Sequence, residues 1–292
     1  MQTVYRIVQY IQPWEIDDLE RQVHHILPST YNIPENIQVI WDVTMNLDTV
    51  DWMQSKIPRE YYLDRFNYLE EIVGCNLVAE FDIDSNIKGC TDKRRVCMEK
   101  IQNYVIWLDS DVYSTLNLLP CLIEATRHIQ DDTYILTPEI VKFWDASWDQ
   151  ITNKQFLHEP YTFRDTFNVY SLDSKLEVNE LTLRKNNSSV KFAGGWFNLF
   201  TDSIFKKIQV PSEIGPYGPD DTYTMFCAQF LQIPQYILGG VIVTDASHIY
   251  TRQQYRKRYI TPTITSHSRI TDEELFKLVN NFYEENKFYN SL

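Results

Sequence analysis

Positive charge is in short supply. The 292 residues carry 27 Lys+Arg against 40 Asp+Glu, a formal net charge of −13. Duplex nucleic acid and anionic membranes both need a dominant basic face, so neither is expected as the main partner. Long apolar runs are missing too. No stretch reaches the roughly 18 apolar residues of a bilayer-crossing helix, which leaves only peripheral membrane contact open. Residues Met1 to Val8 lack the charged start and long apolar segment of a signal peptide and read as a strand entering the fold directly. Cysteine is scarce: Cys75, Cys90, Cys97, Cys121 and Cys227 are the only five, no two form a CxxC pair, and most lie in apolar runs. Buried reduced thiols and a cytoplasmic location are the expectation. The overlapping sequons of Asn186-Asn187-Ser188-Ser189 then read as a polar turn. Internal repeats, low-complexity tracts and flexible linkers are absent.

What is present is a foldable chain. Hydrophobic residues at 43% and charged ones at 23% exclude global disorder, and the length suits one large α/β domain or a domain with an extension. Strand-like runs at Val4–Tyr10, Ile37–Val43, Asn76–Phe81, Tyr104–Leu108 and Thr133–Leu136 alternate with helix-period segments. One of these carries Ile16, Leu19, Val23, Ile26 and Leu27; others cover Thr91–Ile101 and Leu119–Ile129. That alternation predicts a mostly parallel sheet flanked by helices. Residues 138–190 are polar and aromatic without a clean period and read as an excursion from the sheet. The pattern resumes with strands at Phe192–Thr201 and Tyr236–Thr244, separated by a helix opening at Pro219. A capping-box start at Thr271-Asp272-Glu273-Glu274 predicts a C-terminal helix.

The sharpest chemical feature is Asp109-Ser110-Asp111, directly after the buried-strand run Tyr104–Leu108. Ligands of open α/β sheets bind beyond the carboxyl ends of strands. Two carboxylates one residue apart in extended geometry face the same side and can address one hard divalent cation. A polar strand-to-loop transition is the plain alternative. A second acidic element, Asp220-Asp221, follows Gly215-Pro216-Tyr217-Gly218-Pro219; Pro219 at the first helical position puts both acids at the positive end of a helix dipole. That field favours the ionised form a general base requires, although ordinary helix capping would use the same residues. His248, after the Tyr236–Val243 run, could complete a cation site with Asp111, and a mixed carboxylate–imidazole shell suits Mn²⁺ better than Ca²⁺. Arg252, Arg256, Lys257 and Arg258 form the densest basic run, either a solvated face or a diphosphate clamp. Trp144, Trp148, Phe143, Phe156 and Tyr161 could stack on a sugar or simply close a local cluster.

Taken in order, these elements resemble a GT-A glycosyltransferase, most like glycosyltransferase family 2, over residues 3–130 and 190–250. The resemblance implies a Rossmann-like central sheet in a domain covering 1–250, with 138–190 as an acceptor-side excursion and 251–292 as a basic loop and helix. It further implies a donor site of Gln12, Asp42 at the nucleoside, Arg94 at the nucleotide, and Gly194, Gly195 and Trp196 along the donor sugar, with Arg252 nearby. Asp109, Asp111 and His248 would hold the cation, Mn²⁺ before Mg²⁺. Asp221, or failing it Asp220, would be the base. The family's Asp-Asp-Gly-Ser is replaced here by Asp42-Val43-Thr44, and its Glu-Asp by Asp220-Asp221. The implied activity is transfer of a sugar from a nucleoside-diphosphate sugar to a glycan or other hydroxyl acceptor, with inversion. Two other classes share the architecture. A sugar-1-phosphate nucleotidyltransferase needs a Gly-rich basic loop where this chain has Ile11-Gln12-Pro13-Trp14-Glu15, and a non-catalytic carbohydrate-binding protein has no need of Asp109, Asp111 and Asp221.

Overall fold

The computed structural model describes residues 2–30, 33–48, 56–74, 77–110, 112–114, 118–141, 182–185, 197–245 and 270–287. In chain order the elements are β1 (Thr3–Ile11), α1 (Ile16–Thr30), β2 (Ile37–Met45), α2 (Arg59–Val73), β3 (Val78–Ile83), α3 (Cys90–Met98), β4 (Tyr104–Leu108), β5 (Val112–Ser114), α4 (Leu118–His128) and β6 (Ile135–Val141). They continue with β7 (Thr182–Lys185), β8 (Phe197–Thr201), α5 (Asp202–Lys207), α6 (Asp220–Phe230), β9 (Gln235–Asp245) and α7 (Asp272–Asn286).

Among the described residues, nine strands form one mixed sheet in the order β3-β2-β1-β4-β8-β6-β9-β5, with β7 also on β9. The expected parallel, helix-flanked sheet is present: β3, β2, β1 and β4 are parallel, and β1 pairs with β2 from Thr3↔Ile37 to Ile11↔Met45. β8 is an antiparallel insert between β4 and β6.

Side-chain alternation distributes the core over both faces. Along β4, Ile106 and Leu108 join the cluster containing Leu19, Phe66 and Leu122 from α1, α2 and α4. Val105 and Trp107 join the opposite cluster with Phe205, Met225 and Phe282 from α5, α6 and α7. A continuous apolar run is what a strand covered on both faces requires.

Several elements differ from expectation. Helix α2 was not anticipated. Its buried residues Tyr62, Phe66, Leu69 and Val73 keep helical spacing, but exposed Tyr61, Leu63 and Tyr68 on the other faces blur the pattern. Pro219 is the N-cap of α6 rather than its first helical residue, so Asp220 opens the helix. The excursion is sheet-bound at both ends: β6 runs on to Val141, and β7 lies antiparallel on β9. Most of 138–190, including the aromatic cluster of Trp144 and Trp148, lies outside the described residues, as does the Asn186–Ser189 sequon.

The capping box at Thr271 is as predicted. Thr271 Oγ1 accepts from the Glu274 amide at 3.2 Å, and Glu274 Oε2 accepts from the Thr271 amide at 2.7 Å. Helix α7 is no detached tail. It buries Leu275, Val279 and Phe282, and Tyr283 stacks on Phe230 of α6 with ring centroids 4.2 Å apart. Among the described residues no helix is long and apolar enough to cross a membrane.

Because Phe282 sits between Tyr223 and Phe230, Phe282→Ala is expected to lower the unfolding free energy by about 3 kcal/mol, read by urea denaturation. A loss below about 1 kcal/mol would mean that α7 adds little to the second core.

Candidate active site

The chain leaves β1 for β2 and β3 on one side and returns at β4 on the other, so the carboxyl ends of β1 and β4 flank the switch point where open α/β sheets bind ligands. Asp109 emerges there. The Asp109–Val112 turn closes with the Val112 amide donating to Asp109 O at 3.2 Å. A buried amide chain holds it from below. Trp41 Nε1 donates to Gln9 Oε1 at 2.9 Å, and Gln9 Nε2 donates to Gln22 Oε1 at 2.7 Å. Gln22 Nε2 donates in turn to the carbonyls of Asp109 at 2.9 Å and Val112 at 2.6 Å. Strand β1, helix α1 and strand β2 therefore all set the backbone on which the carboxylate rides.

Arg94 of α3 is the centre of the site. Its NH2 donates to Asp109 Oδ1 at 2.9 Å and its NH1 to Asp220 Oδ2 at 3.0 Å, while the guanidinium lies over the Trp107 ring, 4.5 Å from the centroid. Burial alone would lower the Arg94 pKa, but the attraction of Asp220 first and Asp109 second more than offsets it, and the net direction is upward. Asp220 is bound at both oxygens, Thr91 Oγ1 donating to its Oδ1 at 3.1 Å, and is only 2% exposed. Asp221 is half-buried in the first turn of α6, where its Oδ1 accepts from the Thr222 amide at 2.7 Å.

The loop that delivers this acid pair is built against α3. The Thr91 amide donates to Pro216 O at 3.0 Å, the Gly218 amide to Thr91 Oγ1 at 3.1 Å, and Arg95 to Val210 O at 3.2 Å and Pro211 O at 3.0 Å. The approach needs Gly89, since a Cβ there would lie 2.3 Å from Pro216 O. Gln12, at the end of β1, donates from Nε2 to the Tyr217 hydroxyl.

Asp42 sits within β2 rather than at its end. Buried to 3%, it accepts from Lys93 Nζ, from Arg6 NH1 at 2.8 Å and from Cys97 Sγ at 3.3 Å. Desolvation pushes its carboxyl pKa up, but Lys93, Cys97 and Arg6 outweigh it and hold the value below the ordinary carboxylate range. Burial pushes the Cys97 thiol up to about 12, and the Cys90 thiol likewise, which favours the protonated thiol over the thiolate at neutral pH.

Among the expected site residues, the structure thus brings together Asp109, Arg94 and Asp220, with Asp221 next in the chain. Asp42 and Arg94, expected at a nucleotide, both engage groups of the protein itself. Asp111, Gly194, Gly195, Trp196, His248 and Arg252, with the 256–258 basic run, lie outside the described residues. Among those described, no three His, Cys, Asp or Glu side chains gather as a metal site. Of the three residues expected to hold a cation, Asp109 is among the described ones: a strand-end carboxylate whose side chain is 38% exposed, a hard oxygen donor of the kind Mg²⁺ and Mn²⁺ take. Sequence reasoning missed Gln9, Gln22, Thr91, Lys93 and Tyr217. Two of them could have been found as polar residues on apolar faces: Gln9 within β1, and Gln22 on the face of α1 that carries Leu19 and Val23.

Neither a protein-family model nor a curated protein sequence matches the chain. Solved structures match its fold. The mannosyltransferase PcManGT from Pyrobaculum calidifontis, in complex with GDP-Man and Mn²⁺, aligns with a TM-score of 0.53 at 11% identity, over 88% of this chain and 60% of that one. GalNAc-T7 with UDP, GalNAc and Mn²⁺ aligns with a TM-score of 0.50 at 14% identity, over 84% of this chain and 44% of that one. This chain therefore spans about three fifths or less of the length of these two structures. The fold is that of the GT-A glycosyltransferases.

Two outcomes test the geometry. Asp42→Asn should cost about 3–5 kcal/mol at neutral pH by leaving the buried Lys93 without its counter-charge, while Arg6 keeps Glu80 at 2.6 Å. The wild-type contribution is present above the unfolded carboxyl pKa near 3.9 and is lost as pH falls through the lower folded value, so the variant's stability should fall less steeply in acid. Gly89→Ala should cost about 1–3 kcal/mol as the Pro216 backbone is forced away, with faster hydrogen exchange in 215–218.

Proposed function

We propose that the chain is a metal-dependent glycosyltransferase, moving a sugar from a nucleoside-diphosphate sugar to an acceptor hydroxyl with inversion, as a cytoplasmic enzyme of glycan or polysaccharide synthesis. The observation that carries this reading is that one guanidinium, Arg94, joins the strand-end carboxylate Asp109 to the helix-start acid Asp220. Two acidic elements about 110 residues apart in sequence thereby meet at one side chain beside the switch point of a GT-A sheet, where open α/β sheets take their ligands.

The donor would lie across the carboxyl ends of β1 and β4. Asp109, with Asp111 and His248, would hold the cation, whose Lewis acidity would neutralise charge growing on the departing diphosphate. Asp221 takes the acceptor proton: it is the more accessible of the two acids and stands at the positive end of α6, where the ionised form is favoured. Asp220, buried and bound by Arg94 and Thr91, orients the helix that presents it. A base on the far side of the sugar from the leaving diphosphate directs attack from the opposite face, hence inversion at the anomeric carbon. The transition state would carry oxocarbenium character. The Gly194-Gly195-Trp196 segment would border the donor sugar and Arg252 the phosphates.

A thermal-shift panel of UDP, GDP and dTDP and their sugars, with and without Mn²⁺, is expected to give metal-dependent stabilisation by one nucleotide class. Failure of all of them would overturn the donor site. Asp221→Asn should keep that stabilisation while lowering transfer at least about 100-fold; wild-type turnover in the variant would move the base elsewhere.

A further inference from the structure

Resting on that reading, the Arg94 bridge has a consequence for how the cation binds. The three ionised groups Arg94, Asp109 and Asp220 sum to one negative charge. Their two ion pairs are unequal. Asp220 is 2% exposed and clamped a second time by Thr91 Oγ1, whereas the Asp109 side chain is 38% exposed and rides on a turn at the strand end. Arg94 itself is only 7% exposed and is seated on Trp107, so it has nowhere to withdraw. A cation approaching Asp109 meets a carboxylate already engaged by a fixed positive charge.

We propose that Arg94 makes cation binding conditional on a diphosphate: it competes with the metal for Asp109, so the protein alone holds Mn²⁺ weakly, and the anionic oxygens of a diphosphate are needed to offset the guanidinium. Asp220 sets the strength of that competition, because it takes up part of the same charge. Arg94 is in this sense a positioning residue that tunes Asp109. The two neighbours then predict effects of opposite sign. Removing the guanidinium strengthens Mn²⁺ binding to the protein alone, whereas neutralising Asp220 hands the whole of Arg94 to Asp109 and weakens it. A merely structural role for the bridge would move both variants in the same direction.

The test is titration of Mn²⁺, followed by the electron paramagnetic resonance signal of the free ion, with and without inorganic pyrophosphate as the diphosphate probe. The wild type is expected to bind Mn²⁺ weakly alone and at least tenfold more tightly with pyrophosphate. Arg94→Met combined with Asp220→Asn leaves no buried charge unpaired and so keeps the fold; it should bind Mn²⁺ alone at least tenfold more tightly than the wild type, with a smaller gain from pyrophosphate. Asp220→Asn alone should bind it several-fold more weakly than the wild type, and Asp109→Asn should abolish binding. Unchanged or weaker Mn²⁺ affinity in the double variant, with a native circular dichroism spectrum, overturns the proposal and leaves the cation site standing. Absence of Mn²⁺ binding in the wild type even with pyrophosphate overturns the site and the proposal together.

Discussion

A buried guanidinium cannot stand unpaired, and Arg94 is the constraint around which the acidic strand end and helix start are organised. Taking an arginine out of water costs several kcal/mol unless anions and a polarisable face replace the solvent, and in this fold the replacements come from two elements far apart in the chain. Trp107 of β4 supplies the face, Asp109 at the end of β4 one anion, and Asp220 at the start of α6 the other. The requirement to satisfy one charge thus brings the strand end and the helix start to opposite sides of a single side chain.

Helix α3 carries this load because its neighbours in sequence do parallel work. Lys93 binds Asp42 and Thr44 of β2, Thr91 binds the loop before α6, and Arg95 binds the carbonyls of Val210 and Pro211. Successive residues of a helix point about 100° apart, so one stretch of α3 reaches β2 through Lys93, the Asp109 and Asp220 carboxylates through Arg94, and the loop before α6 through Thr91. With the amide chain through Gln9 and Gln22 under the Asp109 turn, the polar interior acts as a jig. Directional bonds hold backbone and carboxylates in register where apolar packing alone would leave them free to slide.

Much of the fold was legible along the chain because its signals are local. The Tyr104–Leu108 run, the capping box at Thr271 and the alternation of strands with helices follow from periodicity and caps. Helix α2 escaped because exposed aromatics hid its apolar face, and β7 because four residues at the end of a polar stretch carry no period of their own. Asp109-Ser110-Asp111 and Asp220-Asp221 were conspicuous as motifs, yet nothing in their spacing distinguished the acid that is buried from the one that is half-exposed.

By itself, the sequence determined that this is an α/β chain with a carboxylate-bearing strand end, an acidic helix start and a net charge of −13, since composition and short-range pattern suffice for each. Only the tertiary structure decided that Asp42 is bound by lysine and arginine inside the protein, that Arg94 ties Asp109 to Asp220, and that Asp220 is buried while Asp221 is half-buried. Burial and charge pairing are properties of groups brought together from distant segments, and no local window of residues contains them.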